Sequence, residues 1–389
     1  MVVSPWSDLS ARAVSAGLLA GFVGVASSFA VVLQGLIAVG ASPEQAVAGL
    51  MALCVVKGLG GIVLSLRARV PVALAWSTPG GALLAASPAP EGGFAAAVGA
   101  FLVCGALLTL AGLWRPLGRW VAAIPASLAG AMLAGVLLPL CLAPVRAVAA
   151  LPLLALPVVL AWVAVAAWKR LWAVPAAVVL AVALVALTRT AEQGEPAAAL
   201  VLPLPVWPDF SAAAVLGIGV PLFLVTMAAQ NIPGMAVLAA NGYRPEAGRL
   251  FAWTGALSLM AAPFGGHALN LAAITAALCA GPEAQPDPAR RYWAAAVAGA
   301  FYVVFGLLAG AALALVSLAP PLLLQAIAGL ALLGTLAGAL RQALDSEAER
   351  EAATVTFLLS ASGVGFLGIG GPFWGLLAGG ALLALRCGR

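Results

Sequence analysis

The chain has 389 residues, 64% of them hydrophobic and 8% charged, with a mean hydropathy of +1.13. Soluble domains carry about 45–50% apolar and about 25% charged residues, so a soluble enzyme or nucleic-acid-binding domain is excluded and a multi-spanning membrane protein is expected. The formal net charge of +5 falls in short loops, where it sets orientation in the bilayer, and no nucleic-acid motif accompanies it.

The N-terminal stretch MVVSPWSDLSARAVSAG lacks the charged n-region and small-residue cleavage site of a signal peptide, so the first apolar run is expected to be retained. With roughly 20 residues per full span, apolar runs between polar or Pro/Gly-rich breaks predict about 14 segments. The first seven cover 14–39, 44–66, a broken 71–87, 94–113, 124–142, 151–168 and 171–187. The second seven cover 210–240, 250–262, a broken 263–280, 292–318, 322–340, 351–368 and 372–386. The five cysteines show no metal-type spacing, so neither a metal nor a cofactor is expected.

Polar residues inside these runs are few. The first segment holds Ser27, Ser28 and Gln34, whose hydroxyls most often bond back to their own helix, which makes Ser27 and Ser28 secondary candidates. The second holds Lys57, which either snorkels toward the Arg67 end or supplies positive potential under a site. In the third, PVALAWSTPGGALLAAS, Pro71 opens an extended piece, Ser77 or Thr78 caps a half-helix, and Pro79 sits in the first turn, where its missing amide is harmless. Gln230 and Asn231, in the eighth, precede Pro233 and Gly234; their amides can donate to a carboxylate or tie down carbonyls freed by the proline.

The tenth segment, APFGGHALNLAAITAALCA, repeats the plan of the third. Pro263, Gly265 and Gly266 disfavour a helical start, which predicts an extended piece over 263–269 and a short helix capped by Asn270. His267, the sole histidine, lies in the extended arm and is the candidate for proton coupling. All 13 acidic residues fall at segment ends or in loops, which leaves no carboxylate relay at mid-membrane. With one histidine, no buried acid and no cysteine cluster, a membrane-embedded enzyme is disfavoured.

Loop charges test the segment count. Fifteen of the 18 basic residues fall on one side, only Arg146 and Arg189 on the other, and Lys57 within a segment. Both termini are then cytoplasmic, and because seven segments per half is an odd number, the second half lies inverted relative to the first. The two broken segments enter from opposite faces and bring their helix starts together near the midplane. Free amides and the positive ends of helix dipoles there favour an anion. Gly80 and Gly266 allow close approach of backbone or ligand, and Trp76 and Phe264 offer rings to pack on an aromatic solute or on neighbouring helices.

The stretches WSTPGGALLA, PASLAGAMLAGVLL, PLFLVTMAAQNIPGMAVL, APFGGHALNLAAITAALCAGPEAQPDPARRY and IAGLALLGTLAGAL resemble the benzoate:proton symporter family, BenE, over nearly the whole chain. The resemblance implies proton-coupled uptake of benzoate or a similar aromatic carboxylate across a bacterial inner membrane. It also implies the uracil permease-like fold, all-α with two inverted seven-segment repeats, often a homodimer. A core would comprise residues 1–113 and 210–318, a gate residues 114–190 and 319–389, and residues 191–209 an inter-repeat linker. Nucleobase permeases of that fold place acidic substrate ligands where this chain carries Gln230 and His267, and loss of both charges suits an anionic substrate. Ser77, Thr78, Gln230, Asn231, His267 and Asn270 are thus the expected substrate contacts. The alternatives are a permease for another organic anion, or a channel or sensor of the same fold.

Overall fold

The computed structural model describes residues 8–188, 204–310, 319–366 and 369–387. Most of the expected linker (191–203) and the end of the expected eleventh segment (311–318) lie outside these residues. In the first half, α1 (Ala11–Ala26) and α2 (Phe29–Ala38) are followed by α3 (Pro43–Ala68), β1 (Leu74–Trp76), α4 (Thr78–Ala86) and α5 (Gly93–Leu113). Then come α6 (Arg115–Ala122), α7 (Ala126–Cys141), α8 (Ala143–Ala150), α9 (Pro152–Lys169) and α10 (Ala173–Leu187). The second half runs through α11 (Ala212–Ala240), α12 (Ala247–Ala261), β2 (Leu269–Leu271), α13 (Ile274–Ala280) and α14 (Tyr292–Leu307). It ends with α15 (Pro321–Leu344), α16 (Arg350–Ala361), a small hairpin of β3 (Gly365–Phe366) and β4 (Ile369–Gly370), and α17 (Gly371–Cys387). Seven helical stretches among the described residues are long and apolar enough to cross a membrane, with α1 and α2 joined as one and α7 and α8 as another.

Local chemistry accounts for the element ends. At the start of α3, Ser42 Oγ accepts from the Gln45 amide at 3.2 Å and Gln45 Oε1 accepts from the Ser42 amide at 2.9 Å, a reciprocal cap with Pro43 in the first turn. In α11 two π-turns, Val215–Gly219 and Met227–Asn231, precede Pro221 and Pro233. Each proline lacks an amide and its ring crowds the carbonyl four residues back, so the chain widens there. Arg291 fastens the far end of α13: its guanidinium donates to the carbonyls of Ala280 (2.9 Å), Gln285 (2.6 Å) and Pro286 (3.1 Å). The first of these bonds satisfies an orphan acceptor at the helix C-terminus, and the other two hold the loop that follows.

The packing repeats by halves, as an inverted-repeat fold requires. α3 packs on α14 and its counterpart α12 packs on α5, while α7 packs on α15, the equivalent helix of the other half. The α3–α14 contact is close enough that a Cβ added at Gly299 would lie 2.6 Å from the Gly58 carbonyl oxygen. Small residues let helices approach in lipid, where no hydrophobic effect drives them together.

The two broken segments meet. β1 and β2 pair antiparallel, with Ala75 opposite Asn270, and the Ser77 amide donates to the Ala268 carbonyl and the Ala272 amide to the Ala73 carbonyl, both at 2.9 Å. Non-helical backbone at membrane depth must satisfy its own polar groups, and each strand does so with the other. Side chains of the flanking helices add to this by halves: Ser65 of α3 donates to the Val72 carbonyl (3.2 Å), and Ser258 of α12 accepts from the Leu269 amide (2.8 Å).

One detail of the expected tenth segment is corrected. A 3-10 turn, Ala262–Phe264, ends at Gly265 with φ of 85°, a conformation glycine permits. The strand then holds Asn270, and the helix starts only at Ile274, with Ala273 at its cap position and no side-chain cap. Asn270 does not cap it, because pairing with β1 already binds the backbone through residue 272.

Candidate functional site

α4 begins at the end of β1. Ser77 Oγ accepts from the Gly80 amide at 3.1 Å, and Thr226 of α11 donates to the same oxygen at 2.8 Å. Both side chains are fully buried, so the cap cannot be replaced by water. Ser77→Ala is expected to lower stability by about 1–2 kcal/mol, read as a fall in the thermal midpoint in detergent. An unchanged midpoint would show that the cap contributes nothing.

A cavity of about 100 Å³ lies where these elements converge, lined among others by Ser27, Ser28, Lys57, Trp76, Thr78, Gln230, Thr275, Tyr302 and Thr335. Ser27 and Ser28 occupy the break between α1 and α2. Ser28 Oγ donates to the Gly24 carbonyl (3.1 Å) and accepts from Trp76 Nε1 (2.9 Å), which fixes the indole across the cavity wall. Gln230 reaches the cavity from the second π-turn of α11.

Lys57 is the chemical centre of this arrangement. It is 1% exposed, and its Nζ lies 3.3 Å from the ring centroid of Trp76 and 3.7 Å from that of Tyr302. The faces of the two rings attract the ammonium. No carboxylate pairs with it: the ion pairs among the described residues join Arg290 to Asp8 and Asp287, and Arg350 to Glu347, all elsewhere. Burying a charge away from water is costly unless it is paired. The cavity can therefore hold a positive side chain whose natural complement is an anion, with aromatic faces beside it.

The sequence candidates divide at this point. Ser27, Ser28, Trp76, Thr78 and Gln230 line the cavity; Ser77, Asn231, His267 and Asn270 do not, nor do Gly80, Gly266 and Phe264. Asn231 instead ties α11 to β2, accepting from the Leu271 amide at 2.9 Å. Asn270 Nδ2 donates to the Leu271 carbonyl at 2.7 Å. His267 is fully buried, its Nδ1 takes the Ala268 amide at 2.6 Å, and its ring meets the edge of Phe101 at 6.4 Å between centroids. A Cβ at Gly266 would press on Ala261 and one at Gly80 on Leu222, so both glycines serve packing. Phe264 is packed against the core. Thr275, Tyr302 and Thr335 were missed. Tyr302, one of only three tyrosines and placed mid-segment, carried a usable signal, since a phenol at that depth needs a polar neighbour.

The chain as a whole has recognisable relatives. Residues 7–385 match the BenE family, described as benzoate membrane transport protein. The chain is 43% identical over 366 residues to the inner membrane protein YdcO of Escherichia coli, covering 94% of this chain and 93% of that one. It is 32% identical over 376 residues to the benzoate membrane transport protein of Acinetobacter baylyi, covering 96% and 94%. In fold it is similar to the transmembrane domain of a cyanobacterium bicarbonate transporter, BicA, with a TM-score of 0.63, 15% identity and coverage of 95% and 98%. SLC26A9 gives a TM-score of 0.62 at 16% identity, covering 96% of this chain and 65% of that protein.

Proposed function

The chain belongs to the BenE family of benzoate membrane transport proteins, and from that premise we propose that it takes up benzoate or a similar aromatic carboxylate together with a proton. The observation that carries the proposal is Lys57, a buried cation between two aromatic rings in a central cavity with no acidic residue in its lining. In this reading the carboxylate meets the ammonium. Thr78, Gln230 and the hydroxyls of Ser27 and Thr275 offer donors, and Trp76 and Tyr302 offer faces to the aromatic ring.

The loaded cavity would be neutral, since ammonium and carboxylate cancel. An uncompensated charge at membrane depth is expensive, so an empty carrier returning with a neutral Lys57 would bring one proton in with each anion. His267, which is not in the cavity's lining, would then belong to the scaffold. His267→Gln is expected to retain benzoate uptake and its dependence on an inward pH gradient, measured in proteoliposomes. Loss of that dependence in a folded variant would return the proton to His267.

Movement would be of core against gate, with residues 1–113 and 210–318 on one side and 114–190 and 319–389 on the other. Supporting this division, the cavity takes most of its lining from α1 to α4 and α11 to α14, and one wall, with Ala331, Leu332 and Thr335, from α15. The bilayer would be a bacterial inner membrane, and the basic loops favour cytoplasmic termini. A homodimer would use α9, which turns Leu153, Leu156, Leu160 and Val163 outward. A smaller organic anion is the second reading, favoured by the tightness of the central cavity. Uptake of radiolabelled benzoate into proteoliposomes, with and without an inward pH gradient and against a panel of unlabelled acids, tests both. Gradient-stimulated uptake that unlabelled benzoate competes away supports the first reading, and absence of benzoate uptake with uptake of a labelled short acid supports the second.

A further inference from the structure

A second cavity, of about 430 Å³, adjoins the central one. The two share Ser27, Ala331 and Thr335 in their walls, so an occupant passing between them would stay in contact with the same residues. The groups that set the second cavity apart are Trp162 on α9 and Arg170, in the 3-10 turn that joins α9 to α10. Trp162 Nε1–H is buried and finds no acceptor. Buried donors in native proteins are nearly always satisfied, and this one borders a cavity in which an entering acceptor would satisfy it. The Arg170 guanidinium lies against Gly334 of α15, where an added Cβ would come 2.8 Å from Nη2. No ion pair among the described residues involves it.

The lining contains no acidic residue. It holds an indole N–H and a guanidinium fork, which only donate, with the hydroxyls of Ser27 and Thr335, which donate as readily as they accept. That donor set matches the planar oxygens of a carboxylate, and Arg binds it through two parallel hydrogen bonds.

We propose that this second cavity is a transit station for the carboxylate. There Arg170 and Trp162 Nε1 hold the anion between its position beside Lys57 and the aqueous side on which the α9–α10 turn lies. The inference rests on the transport reading above and deepens it. The chain would thus bind two anions in series, tightly at Lys57 and more weakly at Arg170. Each cation would lower the cost of the anion's leaving the other.

The test uses the full-length protein and radiolabelled benzoate, with equilibrium dialysis in detergent for binding and proteoliposomes for transport. Wild-type protein is expected to bind one tight equivalent and a second, weaker one, and Lys57→Gln to lose the tight one. Arg170→Gln is expected to keep the tight equivalent, lose the weak one and transport about tenfold more slowly at saturation. Arg170→Lys should recover part of the rate, because it restores charge without the fork. Trp162→Phe keeps an aromatic ring without the N–H; it should also weaken the second equivalent, and it reads the site should Arg170→Gln fail to fold. If wild-type protein transports benzoate and Lys57→Gln does not, while Arg170→Gln or Trp162→Phe keeps wild-type rate and both equivalents, the station is refuted and the transport reading stands. Failure of wild-type protein to transport or bind benzoate overturns both.

Discussion

Replacing Lys57 with glutamine is expected to reduce benzoate uptake by about two to three orders of magnitude while leaving the protein folded. The size follows from what the change removes. A carboxylate taken into the cavity would lose its only charged partner, and an unpaired buried charge costs about 2–5 kcal/mol, at about 1.4 kcal/mol per tenfold. The sign on stability is opposite. Without substrate Lys57 has only ring faces for company, so it either stays an unpaired buried charge or gives up its proton as in the returning carrier, and a permanently neutral side chain in its place avoids both costs. The thermal midpoint of the empty Lys57→Gln protein is thus expected to equal or exceed that of wild type, and the stabilisation that benzoate confers on wild type should vanish. Initial uptake rates over a range of benzoate concentrations, with thermal unfolding with and without benzoate, check both halves. A variant that takes up benzoate with wild-type affinity would remove Lys57 from the site and the proposed function with it.

Substituting Gly299 with valine is expected to prevent assembly. An added Cβ would stand 2.6 Å from the Gly58 carbonyl oxygen and 2.9 Å from Ile62 Cγ1. The first of these is backbone, which cannot turn aside as a long side chain can. α3 and α14 would have to separate along a contact that is otherwise close throughout. Overpacking of this kind costs about 3 kcal/mol or more when backbone must shift. Because Lys57 and Tyr302 project from these two helices, their separation would also pull apart the rings and the ammonium. The matched control is Gly338→Val on α15, where an added Cβ meets nothing within 4 Å. Gly338→Val should give a monodisperse protein with wild-type stability, and Gly299→Val should give little or none. Equal yields and equal thermal midpoints would show that the α3–α14 contact has slack that the structure does not display.

The candidate site was legible in part, and the division has a physical pattern. Pro71, Pro79, Pro263 and the Gly265–Gly266 pair disrupt helix wherever they occur, so the two breaks could be located from residue type alone. A cap at Ser77 or Thr78 followed from the same local chemistry, and the structure gives the role to Ser77. Whether His267 and Asn270 border the cavity depends on tertiary placement. Neither placement can be read from residue type, since the strand pairing of Ala75 with Asn270 joins stretches nearly two hundred residues apart in the chain. Asn270 read as a cap because serine, threonine, aspartate and asparagine all favour that position. In the fold, strand pairing claims those backbone groups first. Lys57 stood out as the basic residue within a segment, but its choice between the water boundary and the centre turned on Trp76 and Tyr302, which lie on other elements.

By itself the amino-acid sequence determined that this chain lives in a bilayer, that it crosses many times in two comparable halves, and that each half contains one interrupted span. Those properties depend on hydropathy and on backbone propensities, which act over a few neighbouring residues. The tertiary structure alone decided which polar side chains share a cavity, that a lysine between two aromatic rings lies in its wall, and that the sole histidine is not part of its lining. Such meetings depend on register and helix rotation, and these are set by close packing between segments far apart in the chain.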